Sequence, residues 1–208
     1  MIDFYTWTTP NGRKVSILLE ETGLPYTTHP IDIGKGAQFT PEFLAIAPNN
    51  KIPAIVDHTG DGKHVSIFES GAILVYLAEK TGQFLPSGGP ERAAVMQWLF
   101  WQMGGIGPIM GQLYHFANKD DLDDPYPIDR FRTETGRLMR VMDEQLATTD
   151  YLAGAYSIAD MAVYPWVAAA FPLFNTMNGT TEADFASVAR WLKTMGERPA
   201  VARGMAVP

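Results

Sequence analysis

The chain has 208 residues, 46% of them hydrophobic and 19% charged, and a net charge of −7. That length admits one large domain or two small ones, and the acidic balance leaves no basic surface for a phosphate backbone. There is no cysteine, which excludes a disulfide scaffold, a thiolate zinc site and a protein-thiol redox centre; any thiol chemistry must use a ligand's sulfur.

The chain opens on MIDFYTW, with Asp3 where a secretion signal would carry basic residues and no cleavage signature, so the cytoplasm is the expected location. A strand is expected over Ile2 to Trp7 and a helix over Lys14 to Glu21, where Val15, Leu18 and Leu19 recur at helical spacing. A second strand near Tyr26 to Ile31 leads to a short helix start at Thr40-Pro41-Glu42. Strands follow at Ala54 to Asp57 and Val65 to Phe68, separated by the turn residues Gly60-Asp61-Gly62, and a helix runs from Ser70 to Lys80 with Gly82 after its end. The order β-α-β-α-β-β-α over residues 1–80 is that of an α/β thioredoxin-like domain. Residues 81–90 (TGQFLPSGGP) carry linker chemistry, and 91–208 read as an all-α domain with helices over Glu91 to Asn118, Pro127 to Thr148, Ser157 to Asn175 and Ala183 to Glu197. The longest apolar run, Val163 to Leu173, holds Pro165 and Pro172 and is too short for the roughly 20 residues of a membrane span. Neither a membrane nor a nucleic acid is an expected partner.

Two local patterns bear on chemistry. In Ile52-Pro53 the X-Pro bond costs only about 0.5–1 kcal/mol to be cis, and a cis bond would turn the Ile52 backbone outward to pair with an extended peptide as a sheet edge does. From the dipeptide alone, an ordinary trans proline at a strand start is the better reading. Sixteen residues on, Glu69-Ser70-Gly71 places an acid and a hydroxyl at a helix start, where simple capping is the competing role. Ser157-Ile158-Ala159-Asp160 is a capping box and is read as a folding device rather than a catalytic pair. Several signals are declined: Gly34-Lys35-Gly36 lacks the spacing of a phosphate loop, Asn178-Gly179-Thr180 has no secretory context, and the acidic run 120–124 lacks the spacing of a calcium loop. His29, His58, His64 and His115 show no metal-ligand spacing, so no metal is expected.

Taken in order, TPNGRK (9–14), Ile33-Gly34-Lys35-Gly36 with Gln38, PNNKIPAIVDH (48–58), FESGAILVYLAEKTG (68–82), QWLFWQMGGIGP (97–108) and the SIAD box cover nearly the whole chain. The chain resembles the cytosolic glutathione transferase superfamily, and within it is similar to the bacterial Nu class and to yeast prion-type nitrogen regulators. The resemblance implies a homodimer with glutathione, reduced or as its disulfide, as cosubstrate. It implies that Glu69 takes the γ-glutamyl ammonium, Ser70 the γ-glutamyl carboxylate and Ile52, before Pro53, the cysteinyl unit, with Gln38 and Lys51 toward the glycine end. Thr9 and Asn11 match the positions that donate to the sulfur and are the expected catalytic pair, although Thr-Pro-Asn-Gly is also turn chemistry. Tyr5, two residues from Trp7 on the same strand face, is read as packing. Two glutathiones per site are implied, with Gln102 and Arg132 contacting the second, Arg132 in its own subunit or across an interface. Trp7 and Tyr114 are candidates for an apolar substrate wall. The expected activity is glutathione-dependent reduction of a small disulfide. The rivals are conjugation of an electrophile, peroxide reduction, and glutathione binding by a noncatalytic regulatory protein.

Overall fold

The computed structural model describes residues 1–58, 62–119 and 123–208. The expected turn at Gly60-Asp61 and most of the acidic run 120–124 lie outside the described residues. The chain divides into two compact units: Met1–Ser87 together with Arg198–Pro208, and Gly88–Glu197.

The first unit is built on four strands, β1 (Ile2–Thr6), β2 (Tyr26–Pro30), β3 (Ala54–His58) and β4 (His64–Phe68), in the spatial order β2-β1-β3-β4. β1 and β2 are parallel, with Phe4 opposite Thr28, while β1 and β3 are antiparallel, with Phe4 opposite Ile55. β3 and β4 are antiparallel, with Ile55 opposite Ile67. Parallel neighbours need a crossover, which α1 (Pro10–Thr22) supplies. In β1 the residues Ile2, Phe4 and Thr6 are buried and alternate with half-buried Asp3 and Tyr5, the period-two pattern of a strand; in the central β3, Ala54 through Asp57 are all buried.

After β2 come two short 3-10 turns, Ile33–Lys35 and Ala37–Phe39, and α2 (Pro41–Leu44), whose N-cap is the Thr40 hydroxyl. α3 (Ser70–Thr81) follows β4 and buries Ile73, Leu74, Leu77 and Ala78. α1 and α3 end on Gly23 and Gly82, both at φ 66, the left-handed conformation that a Cβ disfavours.

One boundary differs from the sequence expectation of a helical domain over 91–208. The last helix, α9 (Pro199–Ala206), belongs with the sheet unit, because it packs on α1. Ser16 Oγ donates to the Gly204 carbonyl at 2.7 Å, Arg198 makes a two-pronged ion pair with Glu21 at 2.8 and 3.1 Å, and Arg203 pairs with Glu20 at 2.6 Å. A Cβ on Gly204 would stand 2.6 Å from Ile17 Cα, so glycine permits this approach.

The second unit is helical: α4 (Gly89–Trp101), α5 (Gly107–Ala117), α6 (Tyr126–Leu146), α7 (Ile158–Asn178) and α8 (Ala186–Gly196). The single helix expected over Glu91 to Asn118 is interrupted by a π-helical turn at Gln102–Ile106, where Gly104 and Gly105 weaken the ladder ahead of Pro108. The Ser157–Asp160 capping box forms as expected. The buried Asp160 carboxylate also accepts from the Leu152 amide and the Trp191 indole, each at 3.0 Å, so it ties the α7 start to α8 and to the preceding loop. No helix among the described residues is long and apolar enough to cross a membrane.

Candidate functional site

Three chain segments converge at one end of the sheet. The first is the β1–α1 junction. Thr9 is the N-cap of α1, with extended backbone (φ −139, ψ 155), and its hydroxyl accepts from the Gly12 amide at 3.3 Å. Capping leaves the hydroxyl proton free to be donated. Pro10 takes the first helical position and Asn11 the second. Gly12 is required because a Cβ there would collide with Thr6 Oγ1 and come within 2.9 Å of the Trp7 carbonyl.

The second segment enters β3. The Ile52–Pro53 bond is cis, and Pro53 is buried while Lys51 is exposed. Ile52 packs with Tyr5, Ile31 and Ile46 around the buried Phe43, Ala47 and Ala54. Tyr5 stacks on His29, ring centroids 4.7 Å apart, and burial pushes its phenol pKa up, with the Asp3 charge acting the same way. A phenol so placed packs as expected and is harder to ionise than a free one.

The third segment is the β4–α3 junction. Glu69 sits between strand and helix at φ 71, ψ 115, a backbone conformation that a non-glycine residue holds at a cost of about 1–3 kcal/mol. The neighbours on both sides are fixed by regular structure, and such outliers concentrate at binding sites. Ser70 begins α3 and is buried.

Asn11, Lys51, Ile52, Pro53, Phe68, Glu69 and Ser70 line one cavity of about 150 Å³. Six of these seven were expected from the sequence; Phe68, at the end of β4 and 37% exposed, was not. Thr9 lies two residues from Asn11 but is not on this wall. Gln38 lies in the turn Ala37–Phe39, where its amide donates to the Ile33 carbonyl at 3.4 Å. Two further residues were missed. Asn49 donates its side-chain amide to Glu69 Oε1 at 3.4 Å. Lys14 is 2% exposed and donates from Nζ to Ser70 Oγ at 3.3 Å. Desolvation pulls the Lys14 pKa down to about 7, opposed by the charge of Glu69. The available signal was its position: Lys14 precedes Leu18 by one helical turn, on the buried stripe of α1, where a charge is out of place.

The cavity therefore offers a carboxylate beside the N-terminal end of a 12-residue helix, a hydroxyl at that helix's first position, and an amide from α1. Such a wall suits a ligand head that carries both an ammonium and a carboxylate. Among the described residues, no group of three or more histidine, aspartate or glutamate side chains could hold a metal ion.

Gln102 and Arg132 belong to the helical unit. Gln102 is fully buried in the π turn, where a Cβ on Gly107 would lie 2.9 Å from its side-chain nitrogen. Arg132 is half-buried on α6 and pairs with Asp129 at 2.9 Å. Asp129 in turn lines an open cavity of about 540 Å³, along with Ile109, Tyr126 and Phe131. Trp7 is half-buried and Tyr114 is 63% exposed.

Comparison with known proteins matches residues 8–80 to the family model described as glutathione S-transferase, N-terminal domain, and 126–199 to glutathione S-transferase, C-terminal domain. The chain is 49% identical to the disulfide-bond oxidoreductase YfcG of Escherichia coli over 208 residues, covering 99% of this chain and 94% of that one. It is similar to the crystal structure of a glutathione transferase family member from Pseudomonas fluorescens with two glutathione bound, at a TM-score of 0.94 and 43% identity, covering 100% of this chain and 93% of the other. It is also similar to a glutathione transferase from Pseudomonas putida with one glutathione disulfide bound per subunit, at a TM-score of 0.92 and 44% identity, covering 100% and 91%. With both domains matched in order and a thioredoxin-like sheet followed by a helical unit, this chain belongs to the glutathione S-transferase family.

Proposed function

We propose that this protein is a glutathione-dependent disulfide-bond oxidoreductase in which the thiolate of a bound glutathione is the nucleophile. The observation that carries the reading is the single cavity that gathers Asn11, Lys51, Ile52, Pro53, Glu69 and Ser70 in a chain without cysteine. Glu69 takes the γ-glutamyl ammonium and Ser70 its carboxylate, with hydroxyl and backbone amide at the helix start. The Ile52 backbone pairs with the cysteinyl unit, and Lys51 and Gln38 face the glycine end. Thr9 and Asn11 donate to the sulfur, which favours thiolate over thiol. The comparable structures with two glutathiones or one glutathione disulfide support a site that takes a second molecule.

The exchange balances without a protein thiol. The first glutathione thiolate attacks one sulfur of the substrate disulfide, forming a mixed disulfide and releasing one substrate thiolate. The second glutathione attacks the glutathione sulfur of that mixed disulfide, giving glutathione disulfide and the other substrate thiolate. Two glutathiones thus supply both electrons, and the protein supplies position and electrostatics. A homodimer and a cytoplasmic location complete the proposal.

The test is the initial rate of glutathione-dependent reduction of a small synthetic disulfide, with an electrophilic conjugation acceptor and a hydroperoxide as parallel substrates. A rate well above uncatalysed exchange, with weak conjugation and weak peroxide reduction, supports the oxidoreductase. Dominant conjugation or peroxide turnover moves the assignment to those transferase activities. Tight glutathione binding without any turnover overturns the enzyme reading in favour of a binding protein.

A further inference from the structure

The histidines show no metal-ligand spacing in the sequence, but the hairpin brings two of them together. His58 ends β3 and His64 begins β4, and the register sets them directly opposite each other. Directly opposed residues of an antiparallel pair project from one face with Cβ atoms about 4.5–5.5 Å apart. The two imidazole rings have centroids 6.4 Å apart and planes at 49°. His58 is 48% exposed at its side chain, and His64 is exposed as well. His58 is also held in place: its backbone amide donates to the Met1 carbonyl at 3.1 Å, and its Nε2 lies 2.7 Å from Asp3 Oδ2. His29 Nε2 lies 2.9 Å from the other oxygen of the same carboxylate. These bonds, that of His58 foremost, hold the Asp3 carboxyl below its ordinary pKa, so at neutral pH it is ionised and only accepts. A neutral His58 therefore carries its proton on Nε2 and presents the lone pair of Nδ1. A carboxylate behind one ring nitrogen is what orients an imidazole, and raises its basicity, toward a metal at the other.

We infer that His58 and His64 form a surface site for one divalent transition-metal ion, with Asp3 as the group that orients His58. With metal–nitrogen bonds of about 2.0–2.1 Å, two imidazoles on one tetrahedral ion have centroids about 5 Å apart, so the exposed His64 ring closes on His58 by about 1 Å. Among the described residues no set of three protein ligands exists, so the protein supplies two and water fills the remaining positions, as in an open, exchangeable site. Two imidazole nitrogens select Cu2+ first, then Ni2+ and Zn2+, and offer nothing to Mg2+ or Ca2+, which take oxygen ligands. The ion ties β3 to β4 at the end of the hairpin remote from Pro53 and Phe68, which line the cavity. It displaces no group of that cavity, and the inference does not depend on the glutathione reading.

The experiment titrates untagged protein, free of glutathione, with Cu2+, Zn2+ and Mg2+ by calorimetry at neutral pH, and follows the histidine resonances by NMR as Cu2+ is added below one equivalent. Native protein is expected to bind one Cu2+ per chain, Zn2+ more weakly and Mg2+ not at all, with the His58 and His64 signals broadening first. His58→Ala and His64→Ala should each weaken Cu2+ binding by about tenfold or more, and Asp3→Asn by about tenfold through the lost orientation. His115→Ala, a change in the helical unit, should bind as native protein does. Absence of saturable Cu2+ binding, native affinity in His64→Ala or His58→Ala, or broadening that begins at His115 or at the N-terminus overturns the inference. Native affinity in Asp3→Asn overturns the orienting role of Asp3. Should His58→Ala not fold, His64→Ala decides alone, because it leaves the bond between Asp3 and His58 untouched.

Discussion

The side-chain amide of Asn49, in the segment before β3, donates to the carboxylate of Glu69 at the head of α3, 3.4 Å away. This contact joins two of the three segments that form the cavity and aims a carboxylate whose backbone is already held at φ 71. Glu69 is exposed, so the contact gives a surface carboxylate at the cavity a side-chain partner.

Glu69→Gln should lower glutathione affinity by about tenfold or more, because it keeps the shape and a carbonyl for Asn49 but removes the charge that pairs with the ligand ammonium. Titration calorimetry with reduced glutathione measures it directly. Unchanged affinity would place the γ-glutamyl head elsewhere.

Asn11→Ala and Thr9→Ala should reduce the rate of disulfide reduction more than they reduce glutathione affinity, since donation to sulfur matters most when the thiolate reacts. Thr9→Ala should also lose about 0.5–2 kcal/mol of stability through the missing α1 cap. Thr9→Ser retains the hydroxyl and should restore both stability and rate. Rates and melting curves on the same preparations separate the two roles.

The Lys14 pKa of about 7, set by burial, lies below the value of 10.5 that an exposed lysine has. Between those values the unfolded chain holds a proton that the folded chain does not, so this group makes stability rise with pH from about 7 to about 10 and lowers it most at and below pH 7. Lys14→Met should flatten that part of the profile and be at least as stable as native protein at pH 6. Denaturant midpoints at pH 6, 8 and 10 provide the check; a native profile as flat as that of Lys14→Met would contradict it.

Gly204→Ala should destabilise the sheet unit by about 1–3 kcal/mol or more, because the added methyl meets the Ile17 backbone where α9 crosses α1. Hydrogen exchange should show early opening of α9 in this variant. Protection of α9 equal to native would mean that α1 yields easily.

Asp160→Ala should cost about 3 kcal/mol or more, since it strands the buried Leu152 and Ser157 amides and the Trp191 indole together. Far-ultraviolet melting curves are sufficient. A loss below about 1 kcal/mol would show that water or rearrangement replaces the carboxylate.

The sequence by itself determined the order of strands and helices and the capping box at Ser157 and Asp160, which are local matters: periodicity, caps and turn residues are written in neighbouring positions. Most of the cavity wall was expected only through the resemblance to a known family, since local pattern alone favours capping and turn roles for those residues. The absence of cysteine from the sequence also excludes a protein thiol from any redox chemistry here. Tertiary structure decided what depends on distant pairs. Ile52–Pro53 is cis, although the dipeptide alone favours trans. Arg198–Pro208 joins the sheet unit, although Gly204 lies 188 residues along the chain from Ser16, its hydrogen-bond partner on α1. Phe68, Asn49 and Lys14 join the site only because β4, the segment before β3 and α1 meet at one end of the sheet. Lys14 shows the reason most plainly: in sequence it is one cation among sixteen lysines and arginines, and only the fold buries it against Ser70.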